Sequence, residues 1–255
     1  MILKGKKVAI FNVANKKSIA WAIAQSIMEQ QGEVILGYQN ERLKENLEEL
    51  TEGISPRPIL LECDVSTDKQ IETAKKNVEE KVGKIDGLVH SIAYAPSEAL
   101  KGKYLEIPRE AFRIALEISV YSFVAMSRIF SDIINPGGSI ITLTYFGSEK
   151  VIPNYNVMGV AKSALESSVR YLAYELGQNG IRVNAVSPGP LSTLAARGIS
   201  GFVDMLKLHR ERAPLRRNIE HREVGNTVAF LVSDLASGIT GEVIYVDAGY
   251  NIMGM

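Results

Sequence analysis

Short apolar runs alternate with longer amphipathic stretches along this whole chain, and that alternation constrains the fold more than any other feature. The runs Lys7–Val13, Glu33–Tyr38, Ile59–Glu62, Gly87–Ile92, Ser139–Leu143, Arg182–Val186 and Glu242–Val246 are largely apolar without a period of two, as strands buried on both faces should be. The stretches between them carry helical spacing. Ile19, Ile23 and Ile27 share one face of Ile19–Gln31, and Leu43, Leu47 and Leu50 share one face of Glu41–Leu50. Further helices are expected over Asp68–Val82, Arg109–Ile134, about Asn156–Leu176 and about Glu223–Ser233, with a looser segment from Ser187 to Arg217. Strand–helix alternation implies right-handed crossovers and a parallel sheet. The expected architecture is α/β: a doubly wound, Rossmann-type parallel sheet of about seven strands with helices on both faces. No repeat or linker-like stretch divides the chain, so residues 1–255 are expected to form a single domain.

Charge narrows the partners. Lys+Arg and Asp+Glu each total 29, so there is no summed field to draw in nucleic acid or anionic lipid. Neither is an expected partner. No apolar run approaches the ~18–20 residues of a membrane span, and the first residues read as a strand rather than a signal peptide, so a cytoplasmic location is expected. Cys63 has no partner for a disulfide, and His90, His209 and His221 lack metal-ligand spacing, so no metal site is expected.

Open parallel sheets bind ligands at the carboxyl ends of their strands, with a dinucleotide pyrophosphate on the helix after the first strand. The segment in that place, Asn12 to Ala20, contains no glycine. Asn12 is nevertheless among the few residues that tolerate a left-handed backbone. Ser18, followed by Ile19, is placed to cap the helix or contact a phosphate. Asp64 and Val65 end the third strand, and Ser91 and Ile92 end the fourth. Each signal is weak alone, and ordinary loops would look similar; their recurrence in order is what points to a dinucleotide. The second strand ends in neutral Gln39 and Asn40, which suit a ribose hydroxyl but do nothing to offset a 2′-phosphate. NADH is therefore expected over NADPH.

Tyr155 and Lys162 stand seven residues apart at the start of an expected helix. That spacing places both on one face, about 10 Å apart along the axis, with room for a ribose between them. The tyrosine would donate to a developing oxyanion while the lysine holds ribose hydroxyls. Taken alone, such a pair is mostly coincidence, a half-buried aromatic and a solvated helix lysine.

The chain resembles the short-chain dehydrogenase/reductase superfamily, and within it the NADH-dependent enoyl-acyl-carrier-protein reductases of bacterial fatty acid synthesis. The resemblance rests on Ser18-Ile19-Ala20, Tyr38-Gln39-Asn40, Cys63-Asp64-Val65, His90 through Pro96, Tyr155 through Lys162, Ser187 through Ala196 and Ile239 through Gly249. Its sharpest part is the Tyr-x6-Lys spacing, since ordinary members of the superfamily use Tyr-x3-Lys and this chain has Met158 in that position. The resemblance implies reduction of a trans-2-enoyl thioester carried by acyl carrier protein, in a homotetramer. It assigns Tyr155 to the thioester carbonyl and Lys162 to the nicotinamide ribose. Tyr145 would line the acyl pocket as a third catalytic residue, and Ala95 and Met158 would touch substrate. Leu191, Ser192, Thr193, Leu194 and Ala195 would close over the nicotinamide, and Leu194–Leu208 is apolar enough to cover a fatty chain. The chain departs from the family at Asn12 and Ala22, where glycine is usual, and at Pro188, where alanine is usual. These departures bear on cofactor affinity. A 3-ketoacyl or other carbonyl reductase on the same fold, or a non-catalytic NAD(H)-binding protein, remains an alternative on sequence.

Overall fold

The computed structural model describes residues 1–193, 196 and 201–254. Seven strands form one parallel sheet: β1 (Lys7–Phe11), β2 (Glu33–Tyr38), β3 (Ile59–Glu62), β4 (Ile85–His90), β5 (Ile134–Leu143), β6 (Arg182–Pro188) and β7 (Val243–Val246). Their order is β3-β2-β1-β4-β5-β6-β7, so the winding reverses between β1 and β4. That reversal opens a crevice at the carboxyl edge of the sheet. The helices are α1 (Ile19–Glu29), α2 (Glu41–Leu50), α3 (Asp68–Val82), α4 (Arg109–Leu116), α5 (Ser122–Phe130), α6 (Val157–Gly177), α7 (Phe202–Arg212) and α8 (His221–Val232).

β1 shows why its sequence lacks polar alternation. Val8 and Ile10 enter a core with Ile23 and Ile27 of α1 and Val224 and Val228 of α8. Ala9 and Phe11 enter a second core with Ile71 of α3, Phe123 and Met126 of α5, and Leu165 and Val169 of α6. Each fully enclosed Ile or Phe contributes about 1.5–3 kcal/mol. α1 and α8 approach closely because Gly225 has no side chain; a Cβ there would lie 2.5 Å from the Ala22 carbonyl oxygen and 2.4 Å from Ser26 Oγ. Ala22 therefore sits on a helix–helix contact whose glycine is supplied by the facing helix.

The structure corrects several expected boundaries. β1 ends at Phe11: Asn12 turns to φ 68°, although its N–H still donates to the Gly37 carbonyl at 3.0 Å. β4 runs Ile85–His90, with Ser91 and Ile92 beyond it. β5 begins at Ile134, where a helix end was expected, and runs through Pro136-Gly137-Gly138; Ile134 pairs with Ile85, the register slips, and Ser139 resumes opposite Gly87. The helical run expected over Arg109–Ile134 is not uniform: α4 passes through a π-helical turn at Glu117–Tyr121 into α5 and ends in a 3-10 turn at Ser131–Ile133. No glycine or proline marks that turn. It is held by a tertiary contact, since Ser119 Oγ accepts from the Tyr94 N–H and donates to the Tyr94 carbonyl, both at 3.0 Å. Contrary to expectation, the continuous run Arg109–Ile133 is long and apolar enough to cross a membrane by length and composition. Ala115, Phe123, Met126 and Phe130 of that run are buried inside the protein. The segment read as loose contains α7, and residues 194, 195 and 197–200 of the expected apolar cover lie outside the described residues.

Candidate active site

The registers Phe11↔Gly37, Phe11↔His90 and His90↔Thr142 bring the ends of β2, β1, β4 and β5 to one level. At the reversal, Asn12 Nδ2 donates to the Ser91 carbonyl at 2.9 Å, pinning the exit of β1 to the exit of β4. A glycine would permit the positive φ but could not make this bond. The turn that follows is closed by its own polar groups. Asn15 Oδ1 accepts from the Lys17 N–H at 2.8 Å, and Ser18 Oγ donates to the Asn15 carbonyl at 2.7 Å while accepting from the Trp21 N–H at 3.2 Å. Ser18 therefore caps α1, and its one hydroxyl proton is committed. An anion at this turn would meet main-chain N–H groups of the first helical turn, Ile19 among them.

The carboxyl ends of β2 and β3 carry Gln39, Asp64 and Val65 outside the enclosed part of the crevice. Gln39 is exposed, whereas the Asn40 side chain accepts from the Leu43 N–H at 3.2 Å and is used as the cap of α2. Asp64 Oδ1 accepts from the Ser66 N–H at 3.0 Å.

Past the reversal the crevice deepens into a cavity of about 410 Å³, within the range of small-molecule sites. Asn12, Ser18, Ile19, Ser91, Ile92 and Ala95 line one part of it; Tyr145, Tyr155, Met158, Lys162, Leu191 and Thr193 line another. Ser192 is exposed and is not part of the wall, and Leu194 and Ala195 lie outside the described residues. Thr193 Oγ1 accepts from the Ala196 N–H at 3.1 Å.

The structure corrects the helical argument for the Tyr–Lys pair while bringing both residues to the cavity. α6 begins only at Val157, and Tyr155 stands in the turn before it, separated by Asn156 at φ 43°. Gly147 makes room for the phenol ring; a Cβ there would lie 2.6 Å from Tyr155 Cδ1. The Tyr145 ring packs edge-on against Tyr155 with centroids 5.0 Å apart, and Tyr145 Oη donates to Met205 Sδ at 3.2 Å. Burial pushes Tyr145 up to about 12 and Tyr155 higher still, so both phenols are neutral donors at pH 7. Lys162 is 4% exposed and donates from Nζ to the Leu143 carbonyl at 2.7 Å. Burial lowers its ammonium to about 8, against an opposing pull from Glu166.

His90 supports this wall without facing the chemistry. Ser122 Oγ donates to the Ile118 carbonyl at 2.7 Å, so His90 Nε2 donates to Ser122 Oγ at 2.8 Å and Nδ1 accepts from Thr142 Oγ1 at 3.0 Å. Burial, aided by the Lys162 charge, holds this imidazole neutral down to about 3.

A family model described as enoyl-(acyl carrier protein) reductase matches residues 13–251. The chain belongs to that family. This reductase is 50% identical over 256 residues to enoyl-acyl-carrier-protein reductase (NADH) FabI of Synechocystis sp., across 99% of each chain. A crystal structure of the Bacillus cereus enoyl-acyl carrier protein reductase with NADP+ and indole naphthyridinone matches it at TM-score 0.96 and 46% identity, over 100% of this chain and 99% of that one. The Anaplasma phagocytophilum reductase in complex with NAD matches at TM-score 0.96 and 43% identity, over 100% of this chain and 97% of that one. The Rossmann-type reading of the sheet holds across these relatives.

Sequence reasoning overlooked part of this reductase's site. It missed Thr144 and Glu166, which are joined at 2.5 Å, whereas Phe202 and Met205 of α7, inside the expected apolar cover Leu194–Leu208, do reach the cavity. Glu166 could have been found as a carboxylate four residues after a candidate catalytic lysine.

Proposed function

We propose that this reductase reduces trans-2-enoyl thioesters on acyl carrier protein with NADH, using Tyr155 as the donor to the thioester oxygen and Lys162 to hold the cofactor ribose. One observation carries these roles: a neutral phenol and a buried ammonium line one cavity at the sheet reversal, with Met158 in the position four before Lys162.

The residues fit the cofactor. Asn12 holds the left-handed turn at the phosphate end, and Lys162 Nζ has three donors, of which the Leu143 carbonyl takes one. NADH, when bound, supplies the hydride. As negative charge develops on the thioester oxygen, Tyr155 offers a neutral O–H that costs no reorganisation to present. Removing one such donor costs on the order of 10²–10³ in rate. Tyr145 packs on the Tyr155 ring and fixes its direction, and Ala95, Ile92 and Met158 keep the surrounding wall apolar. The low dielectric strengthens both polar interactions. Asn12, Ser18, Ile19, Ser91, Ile92, Leu191 and Thr193 form the cofactor side, with Gln39, Asp64 and Val65 at the adenosine end; Ala95, Tyr145, Tyr155 and Met158 form the substrate side. One unit spanning residues 1–255 carries both, working in the cytoplasm as a homotetramer.

NADH oxidation with crotonyl and longer enoyl thioesters tests the reading. Turnover of enoyl but not 3-ketoacyl thioesters supports it. Preference for the 3-ketoacyl substrate, or cofactor binding without turnover, overturns it.

A further inference from the structure

Glu166 follows Lys162 by four residues on α6, which puts the two on neighbouring turns of one helix face. It is a carboxylate only 8% exposed, and carboxylates are seldom buried without a compensating partner. Two consecutive residues at the end of β5 hold the pair. The Leu143 carbonyl accepts from Lys162 Nζ at 2.7 Å, and Thr144 Oγ1 donates to Glu166 Oε1 at 2.5 Å. Among the described residues the other buried charged side chains outside histidine are Arg182 and Asp247. Arg182 is used on the Leu231 carbonyl at 2.7 Å, and Asp247 accepts from the Gly249 and Asn251 N–H groups at 2.9 and 2.7 Å. Neither is available to balance Lys162 or Glu166.

We propose that Glu166 is a positioning residue for the reduction: its carboxylate is the counter-charge that keeps the buried Lys162 ammonium protonated, and Thr144 fixes it in place. The proposal rests on the reading of Lys162 as the ribose-holding group. Among the described residues, Glu166 is the one negative charge that acts on Lys162. His90 on β4 is neutral, and the phenols of Tyr145 and Tyr155 are neutral. Facing Glu166 from β7 is Tyr245, bonded to Glu149; its phenol is pushed up by burial, by Glu149 and in part by Glu166. The opposing effects on Lys162, burial lowering it and Glu166 raising it, agree with this arrangement.

The test is the NADH dissociation constant between pH 6 and 10. In the parent, binding should weaken as Lys162 deprotonates, with a midpoint near its value of about 8. Glu166→Gln should move that midpoint down by about one unit, which weakens binding about fivefold at pH 8 and less than about twofold at pH 6. Thr144→Val, which leaves the carboxylate unheld, should move it the same way, and Thr144→Ser should restore it. Lys162→Arg should remove the alkaline weakening, because a guanidinium stays charged. An unmoved midpoint in Glu166→Gln overturns the proposal. Should that variant not fold, an unmoved midpoint in Thr144→Val overturns it equally. If alkaline weakening persists in Lys162→Arg, the titrating group is not Lys162, and the ribose-holding reading falls together with the proposal.

Discussion

At the scale of single residues, Tyr155 and Lys162 do different work and should fail differently. Charge on the thioester oxygen exists only after hydride transfer begins, whereas Lys162 holds the cofactor in every state. An interaction made only in the transition state lowers kcat and kcat/KM together, and lost ground-state binding appears as weaker affinity. Tyr155→Phe should cut kcat by about 10²-fold or more with little change in the NADH dissociation constant. Lys162→Ala should weaken NADH binding outright, because it removes a buried ammonium from the wall. Calorimetric titration of both variants beside steady-state rates decides the matter. Full rate in Tyr155→Phe would move the donor role to Tyr145. Asn12 offers a second test. Its φ of 68° and its bond to the Ser91 carbonyl are separate functions. Asn12→Gly should keep the turn and NADH binding, losing only the tether, while Asn12→Val should weaken binding because a β-branched residue is strained at positive φ. Asn12→Val binding NADH as tightly as the parent would remove Asn12 from the cofactor turn.

Elements decide the cofactor. The end of β2 presents Gln39 to solvent and spends the Asn40 side chain on the cap of α2, so no carboxylate or basic pair is offered to the 2′ position. NADH should be preferred over NADPH by roughly tenfold or more in kcat/KM, about 1.4 kcal/mol. Equal turnover with NADPH would implicate exposed Arg42 at the start of α2, and the NADP+ held by the Bacillus cereus relative makes that comparison direct. Helical periodicity placed Tyr155 on the helix, yet Asn156 at positive φ ends the helix short of it. The phenol reaches the cavity through a turn, with Gly147 clearing its path.

For the whole molecule, burial of His90 couples stability to pH. Its folded value of about 3 lies below the ordinary imidazole value of 6.5. Between those values the unfolded chain binds a proton that the folded chain does not, so stability is fully present above about pH 6.5 and is lost as pH falls toward 3. His209 and His221 are also lowered by burial and add to the same slope. Urea unfolding from pH 7 to 4.5 should therefore show a steeper loss in the parent than in His90→Gln. The difference should approach one proton, at most about 1.4 kcal/mol per pH unit. Equal slopes would mean that His90 is protonated in the folded chain.

The sequence by itself determined the sheet, its parallel sense and the residues at its carboxyl edge. Those follow from local periodicity and from the handedness of crossovers, which need no knowledge of distant contacts. It also carried Tyr155, Lys162 and Met158, because their spacing is a local property. Only the tertiary structure decided how they meet. Within the π-helical turn at Glu117–Tyr121, Ser119 bonds Tyr94, 25 residues away. The helix α7 brings Phe202 and Met205 to the cavity wall beside residues of β5 and α6. Glu166 becomes a partner for Lys162 because the end of β5 supplies Leu143 and Thr144 to hold both. Contacts between residues far apart in the chain leave no period in the sequence, so their chemistry becomes visible only when the core that brings them together has formed.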